Sequence, residues 1–346
     1  MTERSSHGLR TGLVVAFALV ASVGLVRSSD AASGSPVPGS DPRAQALLGR
    51  AVAAEESTSY TAVEVMSAGD DGGSEIVHLT HLRGQGTVLV EDADNGSPVR
   101  AAFAGDDSSR PNLLLALLGR SYRLVLGDRA VVAGRPTQEV RAARVDGTVA
   151  ARFWIDSATG LLVRRDIVSR AGTVVRTSEL VQLTLGAASP EHLPAMLPAA
   201  GGRALADGDL DDWRGRGWPC PRVLAGLSLF DARTLPQSAD SVLHLSYSDG
   251  LSTVSVFVQP GRLDAAALAA TTAAVVGGQQ VRVRPGQPRQ LIWATDGYVV
   301  TVVADAPDET VAAVVAALPH HAMSETGWSR VERGVARVIS WVNPFG

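Results

Sequence analysis

The first half of the chain shows the two-residue alternation of apolar and polar side chains that is typical of β-strands. Alternating runs occur at 60–66, 76–82, 86–90, 122–126, 130–132, 138–145, 149–155, 161–169 and 173–185. Residues 42–56 are rich in Ala and Leu and have helical periodicity. Residues 110–119 have a Pro near their start and a Gly at their end, which is typical of a short helix. This half predicts a meandering antiparallel sheet with helices laid against it.

The second half has a different rhythm and follows a stretch rich in Pro and Gly over 186–202, which predicts a linker. Strands are predicted at 242–247, 252–258, 280–284, 290–294 and 298–304, and helices at 263–276 and 307–318. Asp249-Gly250 and Asp296-Gly297 are predicted to be two-residue type I′ turns, with positive φ at both residues. No repeated unit of strand, long helix and strand suggests a parallel nucleotide-binding sheet. The pattern indicates a compact α+β domain.

The N-terminus has the pattern of an export signal. Arg4 and Arg10 precede an uncharged run over 11–26, and small residues follow it, with Ser29 and Ala31 suitably spaced for cleavage. The run is 16 residues long, just below the ~17–25 that a spanning helix needs. Removal as a signal peptide and retention as an anchor both remain open. In either case the body of the protein is expected outside the cytoplasm.

These patterns predict six segments. They are a signal peptide or N-terminal anchor (1–32), a linker (33–42), a β domain (43–187), a linker (188–208), an α+β domain (209–319) and an amphipathic tail (320–346).

The composition of the chain limits the classes of partner. The 346 residues carry 31 basic and 35 acidic side chains, for a net charge of −4, which gives no reason to expect nucleic acid. The single cysteine, Cys220, cannot form an internal disulfide, and it is either a structural thiol or a partner in an intermolecular disulfide.

The search for reaction chemistry is negative. The chain lacks a nucleophile elbow, a phosphate-binding loop and a zinc-protease motif. His78 and His81 lie three apart on a predicted strand, which points them to opposite faces rather than to one metal ion. The acidic run over 207–211 resembles the start of a calcium loop, but Asp212 stands where that loop needs Gly. We therefore predict no catalytic residue, no cofactor and no metal site.

Two segments are candidate contact sites. The Leu-rich helix over 110–119 is either a plain core helix or an apolar lid over the open sheet, and the lid residues would be Leu113, Leu114 and Leu117. In the tail, apolar residues spaced 3, 4, 3 and 4 over 328–342 form one stripe of a predicted helix. A basic face lies opposite. This helix either packs on the α+β domain or meets an acidic partner or anionic headgroups through Arg330, Arg333, Arg337, Trp341 and Phe345.

Three strand–turn–strand segments stand out in the two halves of the chain. The first spans Gly134-Arg135-Pro136 and residues 153–166, FWIDSATGLLVRRD. The second is residues 245–257, LSYSDGLSTVSVF, and the third is residues 297–307, GYVVTVVADAP. Together and in this order, they resemble the RseB/MucB family of sigma-E regulatory proteins. The absence of Lys and the end of the tail look like an actinobacterial relative.

The resemblance implies a regulator rather than an enzyme. Its N-terminal domain would be a half-open antiparallel β-barrel with helices, similar to lipoprotein carriers, followed by the smaller α+β domain. The family implies an extracytoplasmic negative regulator of an alternative sigma factor. Such a protein binds the outer segment of a membrane-spanning anti-sigma factor and shields it from regulated proteolysis until misfolded envelope protein or a lipid-like signal arrives. The alternative is an exported carrier of lipid or lipoprotein that uses the N-terminal cavity.

Overall fold

The computed structural model describes most of the chain between residues 37 and 320. The described residues are 37–67, 69, 74–83, 86–91, 100–105, 110–186, 203–215, 217–218, 220–236, 241–263, 268, 271–284, 289–295 and 297–320. The predicted signal or anchor over 1–32 lies outside them. So do residues 321–346 of the predicted tail.

The first half forms a nine-stranded antiparallel sheet with two helices on one side. The helices are α1 (Pro42–Ser57) and α2 (Arg110–Ser121). The strands are β1 (Tyr60–Ser67), β2 (Ser74–Leu82), β3 (Gly86–Glu91), β4 (Arg100–Gly105), β5 (Arg123–Val132), β6 (Arg135–Ala143), β7 (Val149–Asp156), β8 (Leu162–Val168) and β9 (Val174–Leu185). Their order is β4-β3-β2-β1-β9-β8-β7-β6-β5. Because the sheet ends at β4 and β5, it is open, as the predicted half-open barrel requires.

Helix α1 starts where the sequence supplies a cap. The Asp41 side chain accepts a hydrogen bond from the backbone N–H of Arg43 at 2.8 Å, and Pro42 takes the first helical position, where a missing N–H is tolerated. The apolar stripe of α1 packs on the inner face of the sheet, with Leu48 beside Phe153 in one hydrophobic core. The helix therefore covers the concave side of the half-barrel.

The second half forms another antiparallel sheet, of nine strands, with helices α3 (Asp207–Gly215) and α4 (Asp308–Ala317). Its strands are β10 (Arg203–Ala204), β11 (Val223–Leu224), β12 (Leu227–Pro236), β13 (Ser241–Ser248), β14 (Thr253–Pro260), β15 (Thr272–Val276), β16 (Gln279–Arg284), β17 (Arg289–Thr295) and β18 (Tyr298–Asp305). The order is β10-β12-β13-β14-β18-β17-β16-β15, and β11 pairs with β12. Both helices pack in its main core through Leu210, Val311 and Val314. The chain is thus mainly β and has two domains.

The turn prediction at Asp249-Gly250 is wrong. Gly250 has φ 89°, but Asp249 is not among the residues with positive φ. Ser248 pairs with Thr253, so residues 249–252 form a four-residue loop. The Asp249 carboxylate accepts the backbone N–H groups of Leu251 at 2.9 Å and Ser252 at 2.7 Å, an Asp-capped turn that needs no positive φ at the Asp. Of the second pair, only Gly297 is described, at φ 74°.

Pairs of adjacent residues with positive φ, as a type I′ turn requires, occur elsewhere. They are Ala133-Gly134, Ala225-Gly226 and Gly277-Gly278. Each connects two paired strands directly, β5 to β6, β11 to β12 and β15 to β16. Alanine at the first position of two of them escapes a search for Asn-Gly or Asp-Gly signals.

The helix predicted over 263–276 is wrong at its end, because Thr272–Val276 is strand β15. Residues 264–267 and 269–270 lie outside the described part. The sequence assigns 203–208 to a linker, whereas Arg203–Ala204 is strand β10 and Asp207–Gly215 is helix α3. The sequence patterns do not predict strands β4, β10, β11 and β12.

Candidate functional site

An apolar cavity lies between the two helices of the first domain and the concave face of its sheet. Its volume is about 90 Å³. The walls come from both helices and from the sheet, and they include Leu48, Val52, Leu114, Leu118, Phe153 and Leu180. The cavity is therefore formed by the same side chains that hold the helices on the sheet.

The floor of this cavity carries charged groups. Glu64 on β1 is 1% exposed and lines the cavity. The hydroxyl of Ser178 on β9 donates to Glu64 Oε1, whereas Glu64 Oε2 has no hydrogen-bond partner among the described residues. Burial raises the pKa of the Glu64 carboxyl, and the Ser178 hydrogen bond opposes that rise. A buried carboxylate oxygen without a partner is costly in an apolar site.

Arg165 on β8 lies on the same floor and reaches the second domain. Its Nη2 donates to the carbonyl oxygen of Leu251 at 2.6 Å. Burial lowers the pKa of Arg165 to about 9, and the neighbouring charge of Arg176 acts in the same direction. The guanidinium stays protonated at neutral pH, so a buried cation contacts the backbone of the other domain.

A second polar cluster fixes the end of α1 to the sheet. The Tyr60 hydroxyl donates to Glu55 Oε1 at 2.7 Å, and His81 Nδ1 lies 3.5 Å from the same oxygen. The Tyr60 and His81 rings stack at 5.1 Å between centroids. Burial raises the pKa of Glu55, and the charge of His81 opposes that rise. His78, on the same strand, points to the solvent, so the two histidines lie on opposite faces as predicted.

The two domains meet at the loop over 249–252. The Tyr122 hydroxyl, at the end of α2, donates to Asp249 Oδ2 at 2.6 Å. Leu251 packs in the hydrophobic core of the first domain. A Cβ atom placed on Gly250 would lie 2.4 Å from the backbone nitrogen of Leu118, so loop and helix are in close contact. Gly250 also lines the apolar cavity.

Contacts at the side of this loop complete the junction. Phe230 on β12 packs with α2 residues in one hydrophobic cluster. Arg176 on β9 pairs with Asp305 at the end of β18. The backbone N–H of Arg170 donates to Glu309 Oε1 on α4 at 3.0 Å. Apolar packing and polar bonds therefore both cross between the domains.

A wider groove of about 540 Å³ opens at the same junction. Tyr122, Arg170 and Val145 line it from the first domain, and Asp249 and Glu309 line it from the second. Val145 is 94% exposed. The volume lies within the range of ligand-binding clefts, roughly 300–1,000 Å³.

The structure puts the predicted lid residues on two sides of α2. Leu114 lines the cavity, while Leu113, Leu114 and Leu117 cluster with Phe230 of the second domain. Leu117 is 1% exposed. The tail residues Arg330, Arg333, Arg337, Trp341 and Phe345 lie outside the described part of the chain.

The structure also shows the surroundings of Cys220 and of the acidic run over 207–211, which the sequence analysis singled out. Cys220 is a free, buried thiol at 1% exposure, and burial raises its pKa to about 11, so its surroundings fit the structural interpretation. The acidic run over 207–211 lies in helix α3. Within the described ranges no group of His, Cys, Asp and Glu could hold a metal ion. No helix in those ranges is long and apolar enough to span a membrane.

Comparison with known families gives a match in each domain. The model of the MucB/RseB N-terminal domain matches residues 84–197. The model of the MucB/RseB C-terminal domain matches residues 214–319. The chain belongs to the MucB/RseB family. No curated protein sequence matches it significantly.

Solved structures similar to this MucB/RseB-family chain include a crystal structure of MucB in complex with MucA(peri), at 22% identity and a TM-score of 0.49. That alignment covers 81% of this chain and 99% of the other. The Pseudomonas aeruginosa MucA/MucB complex has 22% identity, a TM-score of 0.48 and the same coverage. LprF from Mycobacterium bovis has 16% identity and a TM-score of 0.29, over 47% of this chain and 100% of LprF.

Most residues of the candidate site escaped the sequence analysis, and Glu64 and Gly250 are examples. Glu64 shares an alternating strand face with Tyr60 and Ala62, and a carboxylate on such a face is a signal of a buried polar site. Gly250 is recognisable from sequence only as a turn residue. Its contact with Leu118 of the other domain is a tertiary feature with no local signal.

Proposed function

We propose that this protein is an extracytoplasmic negative regulator of an alternative sigma factor. It binds the outer segment of a membrane-spanning anti-sigma factor and shields that segment from regulated proteolysis until an envelope-stress signal is sensed. The observation that carries the proposal is that both MucB/RseB domains match in one chain and in the family's order. Its role is binding rather than catalysis.

The proposed contact residues lie in the tail. Arg330, Arg333 and Arg337 would form a basic face towards an acidic partner segment or anionic headgroups, with Trp341 and Phe345 at the boundary. A net charge of −4 for the whole chain makes such a local cluster of arginines the natural place for an acidic partner to bind.

Affinity capture from solubilised membranes tests the function. The full chain carries a tag, and captured proteins are identified by mass spectrometry. Recovery of a single-pass anti-sigma protein is expected. A second measurement adds the purified protein to that partner's outer segment and the regulatory protease, and cleavage should slow. Capture without any anti-sigma protein, or cleavage at an unchanged rate, would overturn the proposal.

One observation favours a second candidate, a carrier of lipid or lipoprotein. The apolar cavity between α1, α2 and the sheet is a concave site of the kind that apolar ligands use. In that case Leu113, Leu114 and Leu117 would act as the lid. Organic extraction of the captured protein distinguishes the two candidates, because a carrier releases lipid and brings no anti-sigma protein with it.

We further propose that the chain acts on the outer side of the cell membrane, either released by cleavage near residue 32 or held by an uncleaved N-terminal segment. Export is supported by the charge and hydropathy pattern of the first 32 residues. N-terminal sequencing of the protein from fractionated cells decides between the two forms. A mature chain that starts close to Ala32 indicates cleavage, and an intact Met1 in the membrane fraction indicates an anchor.

A further inference from the structure

The junction between the domains also closes the apolar cavity. Gly250 belongs to the second domain, yet it lines the cavity of the first. Arg165 lines the same cavity, and it donates to the Leu251 carbonyl at 2.6 Å. Leu118 also lines the cavity, and it contacts Gly250. Three groups are therefore shared by the cavity wall and the domain junction.

The cavity is small, so a ligand that enters it disturbs the groups that the cavity wall shares with the domain junction. Its volume of about 90 Å³ is smaller than the roughly 150 Å³ of a cavity that admits one benzene ring. An apolar ligand larger than the cavity must widen it by moving a wall if it is to enter fully. The sheet wall is held by hydrogen bonds along β7, β8 and β9. The end of helix α1 is fixed to β1 by the hydrogen bond from Tyr60 to Glu55, so helix α2 and the loop over 249–252 are the walls that move most easily.

Helix α2 and the loop over 249–252 are in tight contact. A Cβ on Gly250 would lie within 2.6 Å of both the Cα and the Cβ of Leu118, well inside van der Waals distance. The Tyr122 hydroxyl fixes the end of α2 to Asp249 at 2.6 Å. A displacement of α2 away from the sheet therefore pushes against the loop and so against the second domain.

We propose that the loop over 249–252 couples the apolar cavity of the first domain to the arrangement of the two domains. An apolar ligand that fills the cavity pushes α2 against the loop and displaces the second domain. A change that separates the domains raises the affinity for the ligand by the same factor, because coupling free energies are reciprocal. This coupling goes beyond the proposed function and does not depend on an anti-sigma partner.

The test inserts a methyl group between loop and helix. Gly250→Ala strains a backbone at φ 89° and also drives Cβ into Leu118. Gly297→Ala is the matched control, because it strains a turn at φ 74° in the same sheet, and no described atom lies within 4 Å of the new Cβ. The difference between these two variants therefore isolates the contact between the domains.

Two measurements are made on the full chain. Fluorescence titration with N-phenylnaphthylamine, an apolar probe larger than benzene, gives the affinity of the cavity. Small-angle X-ray scattering gives the radius of gyration. Gly250→Ala should bind the probe more tightly by at least about fivefold, the lower end of usual couplings, and its radius of gyration should increase. Gly297→Ala should match the wild type in both. Equal probe affinity and equal radius in the two variants would overturn the proposal.

A milder pair keeps the proposal testable if Gly250→Ala does not fold. Tyr122→Phe removes only the hydroxyl that bonds Asp249 across the junction. Tyr247→Phe removes a hydroxyl that bonds Pro221 within the second domain at 3.1 Å. Tyr122→Phe should tighten probe binding in the same direction as the methyl insertion, and Tyr247→Phe should not. The same affinity for both tyrosine variants contradicts the coupling.

Discussion

Replacing the buried carboxyl of Glu64 by an amide should stabilise the protein at neutral pH. Glu64 is 1% exposed, and one of its carboxylate oxygens has no hydrogen-bond partner among the described residues. Leaving such a group buried costs about 1–3 kcal/mol, more when it is charged. Glu64→Gln keeps the shape and an acceptor for the Ser178 hydroxyl while it removes the charge. We expect the free energy of unfolding to rise by about 1–2 kcal/mol at pH 7.

The gain should depend on pH with a definite sign. Burial raises the pKa of Glu64 in the native state, so the native protein holds this proton more tightly than the unfolded chain does. Below the unfolded pKa of about 4.3, Glu64 is protonated in both states, and the wild type has its full stability. As the pH rises through the native pKa, the carboxyl ionises and the wild type loses stability relative to Glu64→Gln. The difference between Glu64→Gln and wild type should grow across this window and then stay constant.

Thermal unfolding followed by circular dichroism between pH 4 and pH 8 measures the effect. For a domain of this size, 1 kcal/mol corresponds to a change in Tm of about 2–4 °C. Glu179→Gln is the matched control, since Glu179 lies on the opposite face of the same sheet and pairs with Arg164 at 3.0 Å. It should be neutral or slightly destabilising. A Glu64→Gln protein that melts below the wild type at pH 7, or a difference that ignores pH, would refute the reasoning.

Three further predictions follow from local geometry and charge. Gly277→Ala should lower the free energy of unfolding by about 1–3 kcal/mol more than Gly278→Ala, because only the first Cβ meets the Ala312 carbonyl oxygen, at 2.2 Å; equal melting curves would contradict this. Ala133→Asn should raise stability by about 0.5–1 kcal/mol, since Asn tolerates the positive φ of 47° better than Ala does; a lower Tm would count against the type I′ turn. Changing Arg330, Arg333 and Arg337 of the tail to Gln should weaken binding to partner peptide or anionic vesicles, and the loss should be largest at low salt, where charges are least screened. Binding that is unaltered at low ionic strength would mean that the tail only packs on its own domain.

The strands of the first domain could be predicted because their order is local. From β5 to β9 each strand pairs with the next along the chain, so alternation within a strand and a turn signal at its end specify the structure. The structure confirms the half-open barrel that was predicted from the sequence. Helix α1 was also accessible, since Asp41 and Pro42 mark its start in the sequence itself.

The errors come from residues whose preference is weak or set by distant contacts. Thr272–Val276 contains two alanines, which favour a helix in isolation, yet it forms strand β15 because the Gly277-Gly278 turn returns the chain onto β16. Helix α4 then packs beside this turn, with the Ala312 carbonyl against Gly277. The Ala133-Gly134 turn was missed since alanine seldom adopts positive φ.

The residues that break local rules gather in one place. Glu64 is a carboxylate on an apolar strand face, Arg165 is a buried cation, and Gly250 has no room for a side chain. Replacing buried ionic groups by apolar residues of similar size often stabilises a protein, so stability alone does not account for a charged floor under an apolar cavity. All three residues line that cavity, and two of them also connect the domains. Departures from local consistency are expected at functional sites, and here they coincide with contacts through which the cavity of one domain reaches the backbone of the other. Leucine side chains in place of these residues would hold the helices on the sheet equally well. They would not link the binding of a ligand in the first domain to the position of the second domain.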